Sequence, residues 1–503
     1  MNLSRCMLET KMDKPHKIVI VGGGTAGWMA ANLMMNQWKD KPVTIHLIES
    51  PDIPIIGVGE GSTPNLRRFF KQLNIKEDEW MKACNATYKV NIRFSGWSPS
   101  SGIESYSHPF TSQLDIFTEK LFVTNCRTRR LGLDVTTSPS SFFINGWLAD
   151  QRKSPLPSEN FPFQIEYGYH FDSALLGKFL KEHAINNGVQ HISDTVTKVN
   201  QNENGDIASV LTKDKSLVSG DFFIDCTGFQ SLLLQKTLGV DFSSFKDNLF
   251  NDRAVVLATE AQKELPVETA AVAMSSGWMW NIPLQNRTGN GYVYSSSFID
   301  DDKAASELCQ KLNVAEDKAE LRFLKMNVGQ VEQHWHKNCL ALGLSQGFIE
   351  PLEATALHLI QVTTENFIQL YQKGDFTNKY IKHFNQDVSN RFERVRDYIV
   401  AHYKLNGRSD SDYWIENREN MKLSKPLLKL LDTWYKGDDL VSEINQQGLH
   451  THFGIASWHC ILSGYGVFPG IAKNQPASGD LFKEHELAKF FNACMLNFKH
   501  SDY

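Results

Sequence analysis

The chain has 503 residues, which is long enough for two or three modules built around a large core. Its apolar content of 41% and its charged content of 22% are ordinary for a globular protein. The 52 basic and 57 acidic residues leave a net charge of −5, which excludes an electrostatic attraction to nucleic acid or to an anionic membrane.

The eight cysteines are scattered along the chain without a Cys-x-x-Cys pair. This pattern indicates a reducing compartment and predicts neither a disulfide framework nor a metal site. Residues 1–15 are polar and lack the apolar stretch of a signal peptide, so they predict a disordered leader. Because no run of about 18 apolar residues occurs either, we expect a soluble, cytoplasmic protein.

A glycine-rich turn follows the leader. Ile18–Val21 is a continuous apolar run that predicts a buried parallel strand, and Gly22-x-Gly24-x-x-Gly27 leads from it into a helix. Gly22 permits the tight turn, Gly24 lets a pyrophosphate approach the backbone, and Gly27 allows close packing of helix on strand. The helix N-terminus offers free N–H groups to the phosphates. The predicted contacts to a dinucleotide in this turn are Gly22, Gly24, Thr25, Ala26 and Gly27.

Val43–Glu49 predicts the next strand, and Glu49 stands at its carboxyl end, 22 residues after Gly27. An acidic residue at this position binds the ribose hydroxyls of a dinucleotide. Strand, glycine turn, helix, strand and acid together favour a dinucleotide site over a glycine turn in an ordinary α/β unit.

The segment after Glu49 is again rich in glycine. Glycines at 57, 59 and 61 predict a loop, and not a strand, that lies against the cofactor. The predicted cofactor contacts here are Gly57, Val58 and Gly59. Thr63 and Pro64 then begin a predicted helix over 65–73.

Residues 86–94 alternate between two faces, which predicts a single strand. Tyr88 and Val90 belong to one face, and Lys89 belongs to the other, so Lys89 is held on a strand and not on a loop. Most lysines on strands are solvated surface groups. From this stretch alone, a surface role for Lys89 is therefore favoured over catalysis.

From residue 98 to 158 the composition shifts to Ser, Pro, Gly and Thr, and the periodicity fades. This predicts an inserted segment over the core, where substrate-facing loops usually lie. The elements predicted next are a helix over 171–187 and strands near 190–200, 207–213 and 217–226. The last strand ends at Asp225 and is followed by Gly228. This predicts either a second contact with the cofactor or a plain buried strand with a turn.

Gly277–Pro283 predicts a strand that places Trp278 and Trp280 on the same face. Residues 339–358 predict a strand, a glycine loop and a helix whose first turn holds Glu353, which is a natural place for an anion. From about residue 354 the chain is mostly helical. Helices are predicted over 386–404, 411–419, 425–435 and 482–498.

With these stretches in view, the sequence resembles the flavin-dependent tryptophan halogenase family from about residue 16 to residue 470. The most specific match is Trp278-x-Trp280-x-Ile282-Pro283, a motif that separates this family from flavin monooxygenases. Three further stretches match the strand with the family's essential lysine, the stretch with its catalytic glutamate and the aromatic pair of its indole pocket. These are, in that order, Tyr88–Lys89, Phe348–Glu353 and His108–Phe110.

The resemblance implies an α/β fold. It consists of a Rossmann-type FAD-binding core of the flavin monooxygenase type and an α-rich C-terminal portion that covers the substrate. The core would comprise residues 16–100 and 160–385, and the mostly helical covering portion residues 101–159 and 386–503. The further residues implied to contact FAD are Asp225, Gly228 and Leu344.

The resemblance also implies a reaction. A separate flavin reductase delivers reduced FAD, which with O₂ and chloride or bromide gives hypohalous acid. Trp278 and Trp280 keep the substrate away from the flavin, while Lys89 holds the hypohalous acid and directs its halogen to a ring carbon. Glu353 stabilises the positive charge on the ring and removes its proton. The residues implied to bind halide and substrate are Thr355 and Ala356 for halide and His108, Phe110 and Phe453 for an indole ring.

The sequence departs from the family at two places. Ala354 and Ala356 stand where the family has serine and glycine around its threonine. The long aromatic and acidic segment that clamps the amino acid is short here, with one glutamate and two histidines over 439–453. Without that clamp, a buried ammonium and carboxylate lack partners. We therefore expect indole, or an indole carried on a larger molecule, to be a better substrate than free tryptophan.

Two other functions remain open on the sequence. A flavin monooxygenase would hydroxylate the ring directly, although the two tryptophans and Lys89 argue against this. A flavin-binding protein without turnover finds its only support in Ala354 and Ala356, and the retention of Lys89 and Glu353 opposes it. The oligomeric state is also open, a homodimer included.

Overall fold

The computed structural model describes residues 14–53, 59–449, 452–475 and 484–501. Strands and helices are numbered in chain order. Gly57 and Val58, which were predicted to contact the cofactor, lie outside the described residues, and so does most of the predicted leader.

The carboxyl ends of parallel strands meet at one edge of a six-stranded sheet. Its strands are, from side to side, β21 (Trp335–His336), β22 (Cys339–Ala341), β13 (Phe222–Asp225), β1 (His16–Val21), β2 (Val43–Glu49) and β9 (Gln190–Ser193). All neighbouring strands are parallel except β21 and β22. Val21, Glu49 and Asp225 therefore lie at the same edge, as in other doubly wound folds. The predicted Rossmann-type α/β core is confirmed.

The first helix is enclosed by the core. Helix α1 (Thr25–Trp38) packs against α6 (Ser173–Asn186) and α8 (Ala356–Lys373) as well as against the sheet. Its residues from Gly27 to Met34 are all buried, which explains why the segment is apolar around its whole circumference.

A seven-stranded sheet forms the second layer. Its strands are, in order, β19 (Arg322–Lys325), β15 (Arg253–Thr259), β18 (Thr288–Tyr294), β17 (Gly277–Pro283), β16 (Glu268–Met274), β5 (Asn91–Ser98) and β6 (Ile103–Pro109). Trp278 and Trp280 lie in the main hydrophobic core, whereas Met279 between them packs into a different cluster. The prediction that both tryptophans share one face of a strand is therefore confirmed.

The prediction of a single strand over residues 86–94 is wrong, because the chain changes sheets at Val90. The N–H of Val90 donates to the backbone oxygen of Val267 over 2.7 Å, outside either ladder. Lys89 ends a strand of a small sheet, and Asn91 begins β5 of the seven-stranded sheet. The small sheet consists of β3 (Gly59–Gly61), β8 (Gly168–Asp172) and β4 (Thr87–Lys89).

The predicted loop around Gly59 and Gly61 is also wrong, since residues 59–61 pair with β8 as a strand. The glycines have a packing reason. A Cβ on Gly61 would lie only 3.1 Å from the Nζ atom of Lys89. Gly61, which suggested a loop in the sequence, is therefore a residue that lets the Lys89 side chain approach the backbone.

The segment over 98–158, predicted to be irregular, contains a strand of the seven-stranded sheet. Strand β6 is at the edge of that sheet and pairs only with β5, so its alternation of buried and exposed residues is weak. The segment also contains α4 (Glu119–Arg130), α5 (Ile144–Asp150) and β7 (Lys153–Pro157).

Helices follow α8 towards the C-terminus. Those predicted from sequence correspond to α9 (Ile381–Lys404), α10 (Asp412–Glu419), α11 (Lys425–Lys436) and α14 (Glu484–Met495). Two further helices were not predicted: α12 (Leu440–Gln446) and α13 (Ile455–Gly464). Glu353 was predicted in the first turn of α8 but lies in a separate short turn, Pro351–Glu353. Ala354, with φ of +55°, divides this turn from the helix.

The remaining elements are smaller. They are α2 (Asn65–Gln72), α3 (Glu77–Ala83), α7 (Asp301–Leu312), β10 (Val196–Gln201), β11 (Ile207–Thr212), β12 (Leu217–Ser219), β14 (Phe242–Ser244), β20 (Gly329–Val331), β23 (Gly347–Phe348) and β24 (Phe498–His500). In the described parts of the chain, no helix has the length and apolar character needed to cross a membrane.

Candidate active site

The glycine turn after β1 is closed on one side and open on the other. Gly22 has a φ of +115°, and a Cβ on it would lie 2.1 Å from the backbone oxygen of Cys226. A Cβ on Gly27 would lie 2.0 Å from the backbone oxygen of Gly22, so α1 packs directly on the turn. At Gly24, by contrast, there is open space within 4 Å of a Cβ. A phosphate therefore has room to approach the backbone only at Gly24.

Glu49 lies across the turn from these glycines. A Cβ on Gly23 would touch the Glu49 side chain, including its Oε1 atom at 2.5 Å. The Oε2 atom accepts a hydrogen bond from Lys181 Nζ at 2.6 Å and lies 3.0 Å from His191 Nε2. The hydrogen bond from Lys181, which the sequence analysis missed, orients the carboxylate. Oε1 remains on the side of the turn, where it suits a ribose hydroxyl.

Asp225 orders the returning segment of chain and uses its carboxylate oxygens within the protein. One oxygen accepts hydrogen bonds from Thr227 and from Ser345 Oγ, and the other from the backbone N–H groups of residues 233 and 234. The Ser345 hydroxyl also lies 3.0 Å from the backbone oxygen of Gly228. Leu344 sits in the same turn as Ser345, so the three predicted positions are held together at the sheet edge.

These features fit a dinucleotide such as FAD. An opening in the glycine turn, the N-terminus of α1 with Thr25 and Ala26, and an acid at the end of β2 all lie at one sheet edge. Gly59, which directly follows residues 54–58, is buried against Ile282 and Leu284.

Lys89, at the end of β4 in the small sheet, is an unusual charged residue. Its side chain is fully buried, and its Nζ atom has no hydrogen-bond partner among the residues that the structure describes. The Nζ atom lies 5.5 Å from the centre of the Phe110 ring. Burial lowers the pKa of Lys89 to about 7, although the charge of Glu353 opposes this shift. Lys89 is therefore not the solvated strand lysine that its local sequence favoured.

Glu353 is held between two histidines. Both of its oxygens lie within 3.0 Å of His108 Nδ1, and Oε1 also lies 2.9 Å from His402 Nε2. Burial by itself would raise the pKa of Glu353. The charge and hydrogen bonds of His108 and His402 outweigh burial and lower that pKa to about 2. The carboxylate is thus a permanent anion at the bottom of the cavity described below.

The other ring nitrogen of each histidine also has a hydroxyl partner. His108 Nε2 lies 3.0 Å from the Ser457 hydroxyl, and His402 Nδ1 lies 3.1 Å from the hydroxyl of Tyr465. Each hydroxyl can donate to its histidine, whose other nitrogen then donates to Glu353. Burial lowers the pKa of His402, although its hydrogen bond to Glu353 and the charge of Glu353 oppose this shift.

A cavity of about 480 Å³ opens above Glu353. The three predicted substrate residues, His108, Phe110 and Phe453, all line it. Phe453 stacks on Tyr398 with ring centres 3.8 Å apart and an angle of 5° between the planes. An aromatic substrate therefore meets a preformed wall of flat rings on this side.

Several polar residues of the cavity were not predicted. Glu119 and Glu166 line it, and His358 lies 3.3 Å from His452 between their ring nitrogens. Burial lowers the pKa of His358 to about 3 and that of His452 to about 4, so this pair is uncharged near neutral pH. No lysine or arginine is among the described residues that line the cavity, and the nearby Lys89 Nζ lies 5.5 Å from the centre of the lining Phe110 ring.

Thr355 lines the same cavity, and Ala356 is the first residue of α8. Neither N–H group has a backbone acceptor within the described ranges, as expected at the start of a helix. Such free N–H groups at a helix N-terminus favour an anion. No group of three or more His, Cys, Asp or Glu side chains suited to a metal ion occurs in the parts of the chain that the structure describes.

The burial of Lys89 has a cost that can be measured. We expect Lys89→Met to raise the free energy of unfolding by about 1–4 kcal/mol, because a buried amine without a partner is replaced by an apolar chain of similar length. With a pKa of about 7 when folded and 10.5 as the model value, Lys89 binds fewer protons in the folded state between these pH values. Wild-type stability therefore rises with pH across this window, and the gain from methionine is largest below pH 7.

Urea unfolding at about pH 6 and about pH 9 would test this expectation. Lys82→Met, at an exposed lysine of α3, serves as the control and should change stability little at either pH. A Lys89→Met protein that is less stable than wild type at the lower pH would contradict the proposed cost.

The doubly wound core with its open glycine turn, together with a buried lysine and a carboxylate held by two histidines, is the arrangement expected of a flavin-dependent halogenase. Enzymes of this class use reduced FAD from a separate flavin reductase, a halide ion and an aromatic substrate. Residues 17–478 match the family model described as tryptophan halogenase. The chain belongs to the tryptophan halogenase family.

Individual relatives agree with this assignment. The chain is 35% identical to tryptophan 6-halogenase SttH of Streptomyces toxytricini, over 84% of each chain. It is 32% identical to tryptophan 7-halogenase RebH of Lentzea aerocolonigenes, over 91% of this chain and 90% of the relative. The solved structure of BrvH, a flavin-dependent halogenase from Brevundimonas sp. BAL3, matches with a TM-score of 0.78 and 31% identity, over 96% of each chain.

Proposed function

We propose that the protein halogenates an indole-like aromatic compound by means of hypohalous acid that Lys89 directs to the ring. The observation that carries this proposal is the pairing of a buried lysine that lacks a hydrogen-bond partner, among the residues that the structure describes, with an anionic Glu353 at the bottom of an aromatic cavity. A lysine in that setting has no structural task, and its amine is free to bind a small acid.

Bound reduced FAD supplies, with O₂, the oxidising power that turns halide into hypohalous acid. The N–H groups of Thr355 and Ala356 suit the halide, as helix N-termini suit anions generally. We assign to the indole rings of Trp278 and Trp280, both of which are buried in the main hydrophobic core, the separation of the flavin side from the aromatic cavity. The substrate ring therefore meets hypohalous acid and not the flavin.

Lys89 and Glu353 then divide the chemistry. The Lys89 ammonium donates a hydrogen bond to the oxygen of the hypohalous acid, and water leaves with that proton as the carbon–halogen bond forms. Glu353 stabilises the positive charge on the ring and accepts the ring proton, because a protonated aromatic ring is a far stronger acid than a carboxyl group. Transfer of this proton back to Lys89 restores both groups.

The charge of the cavity supports an uncharged indole as substrate. Glu119 and Glu166 line it without a described ion-pair partner, and no lysine or arginine balances them among the lining residues. A substrate carboxylate would be placed near these two acids, at a cost in desolvation and repulsion. Indole, or an indole that extends from the open cavity on a larger molecule, avoids this cost.

The proposal is tested by incubating the protein with FAD, a flavin reductase, NADH and bromide over a panel of aromatic compounds, with products measured by mass spectrometry. We expect brominated products that require halide. A hydroxylated product formed without halide would identify a monooxygenase. Flavin binding without any product would identify a protein without turnover.

Within that panel, we expect a higher kcat/KM for indole than for free L-tryptophan, with attack at C3, the most electron-rich carbon of a bare indole. Indole-3-acetate should be a poorer substrate than indole, because it carries the carboxylate of tryptophan without the ammonium group. The double variant Glu119→Gln/Glu166→Gln should raise kcat/KM for indole-3-acetate and leave kcat/KM for indole unchanged. A clear preference for tryptophan with a single benzo-ring product would contradict the substrate proposal.

A further inference from the structure

A second glutamate lies three residues before Glu353, and the reaction proposed above does not use it. Glu350 precedes the turn Pro351–Glu353 and is fully buried. Its Oε2 atom accepts hydrogen bonds from Trp278 Nε1 at 2.8 Å, from Asn251 Nδ2 at 2.9 Å and from the hydroxyl of Tyr403. A carboxylate with three converging donors is a strong fixed point in the core.

The donors come from parts of the chain that are far apart in sequence. Trp278 belongs to β17, Tyr403 lies near the end of α9, and Asn251 precedes β15. Asn251 is itself fixed, because its Oδ1 atom accepts a hydrogen bond from the hydroxyl of Tyr413 at 2.9 Å. The Glu350 carboxylate thus joins the seven-stranded sheet to the C-terminal helices.

The two tryptophans of the motif differ in this respect. Trp278 Nε1 donates to Glu350, whereas Trp280 Nε1 is buried without a described partner. Trp280 is instead held by shape, since its six-membered ring lies directly over Gly291 of β18, with a Cβ there only 2.1 Å from the ring. The two ring centres are 6.1 Å apart. One tryptophan is therefore fixed by a hydrogen bond and the other by packing.

We infer that Glu350 is a positioning residue that fixes the ring of Trp278 and joins this ring to the turn carrying Glu353. The consequence for catalysis rests on the proposed function, in which Trp278 separates the flavin side from the substrate. Because Pro351 stiffens the short connection, the carboxylate that holds Trp278 and the carboxylate that faces the substrate share one rigid turn. Burial raises the pKa of Glu350, and the hydrogen bonds from Tyr403, Trp278 and Asn251 oppose this shift, so the network also governs its charge.

The hydrogen bond can be observed directly. With tryptophan labelled by ¹⁵N at the indole nitrogen, the eleven tryptophans give separate N–H resonances, and the one that disappears in Trp278→Phe belongs to Trp278. In Glu350→Gln a neutral acceptor replaces a charged one, so we expect this resonance to move upfield while that of Trp280 stays in place. An unmoved Trp278 resonance would overturn the inference.

The catalytic consequence is measured as halogenated product per flavin oxidised. We expect Glu350→Gln and Trp278→Phe each to lower this ratio roughly five-fold, and the double variant to lower it no further, because one weakens and the other removes the same hydrogen bond. Trp280→Phe is the matched control, and its effect should add to that of Glu350→Gln. Additive effects of Glu350→Gln and Trp278→Phe would overturn the positioning role.

The NMR measurement and the product measurement together distinguish this inference from the proposed function. A wild-type protein that makes no halogenated product overturns the proposed function, and the Trp278 resonance then still decides whether Glu350 fixes that ring. If Glu350→Gln fails to fold, Trp278→Phe and Trp280→Phe carry the comparison. A larger loss of product per flavin in Trp278→Phe than in Trp280→Phe supports the inference, and equal losses in both overturn it.

Discussion

Replacing Lys89 with alanine is expected to abolish halogenation while flavin reoxidation and hypohalous acid formation continue at the wild-type rate. In the proposed reaction, halide is oxidised on the flavin side of Trp278 and Trp280, and Lys89 acts only afterwards. Loss of a single preorganised donor lowers turnover by about 10²–10³-fold in other enzymes. Here the loss should be at least as large, because Lys89 is the group that we propose to bind the oxidant beside the substrate.

The measurement compares brominated product with hypohalous acid released into solution, trapped by a thiol or by monochlorodimedone. Lys89→Met is the matched control, since it keeps the length of the side chain against Gly61 and removes only the amine. Both variants should release the oxidant without halogenating the substrate. Bromination at the wild-type rate in either variant would remove Lys89 from the mechanism.

Glu353→Gln is expected to lower turnover by about 10²–10⁴-fold, the usual contribution of a positioned base or charge stabiliser. Glutamine keeps the volume and can still accept a hydrogen bond from His108 or His402, but it carries no charge to oppose the cation on the ring. Steady-state kinetics with indole and bromide would measure the change, and a decrease of less than about three-fold would contradict the role of Glu353.

The pH dependence gives an independent check on these roles. A pKa of about 2 keeps Glu353 ionised across the usable pH range. Its titration should therefore not change kcat near neutral pH. Lys89, with a pKa of about 7, loses its ammonium proton as the pH rises. If the ammonium binds the oxidant, kcat should fall above about pH 7 in the wild type.

The parts of the site that could be predicted from sequence are those formed by residues close together in the chain. Gly22, Gly24 and Gly27 form one turn, and Trp278 and Trp280 share a strand because alternation alone places them there. Lys89 was placed on a strand correctly, but its burial depends on β3, β8 and the change of sheet at Val90, which no local pattern contains.

The missing parts come from packing between distant segments. His402 approaches Glu353 from α9, 49 residues further along the chain, and a lone histidine in an amphipathic helix carries no sequence signal. His108 was predicted to flank the substrate, and its hydrogen bonds to Glu353 and Ser457 add a second task that the motif does not contain. Glu350 was part of a recognised stretch, yet its partner Trp278 is 72 residues away.

The walls of the cavity include two sets of residues with different tasks. The first set, from 108–111 and 353–358, contains Glu353 and its partner His108, whereas the second, Ile444, Asn445 and 452–457, comes from α12, α13 and the described part of their connection. The second set includes no residue of the sheets that position Lys89 and His108. Its residues can therefore change during evolution and give a new substrate preference while the chemistry is kept. A mutant library confined to the second set, with Ser457 kept for its contact with His108, would sample substrate range at little risk to turnover.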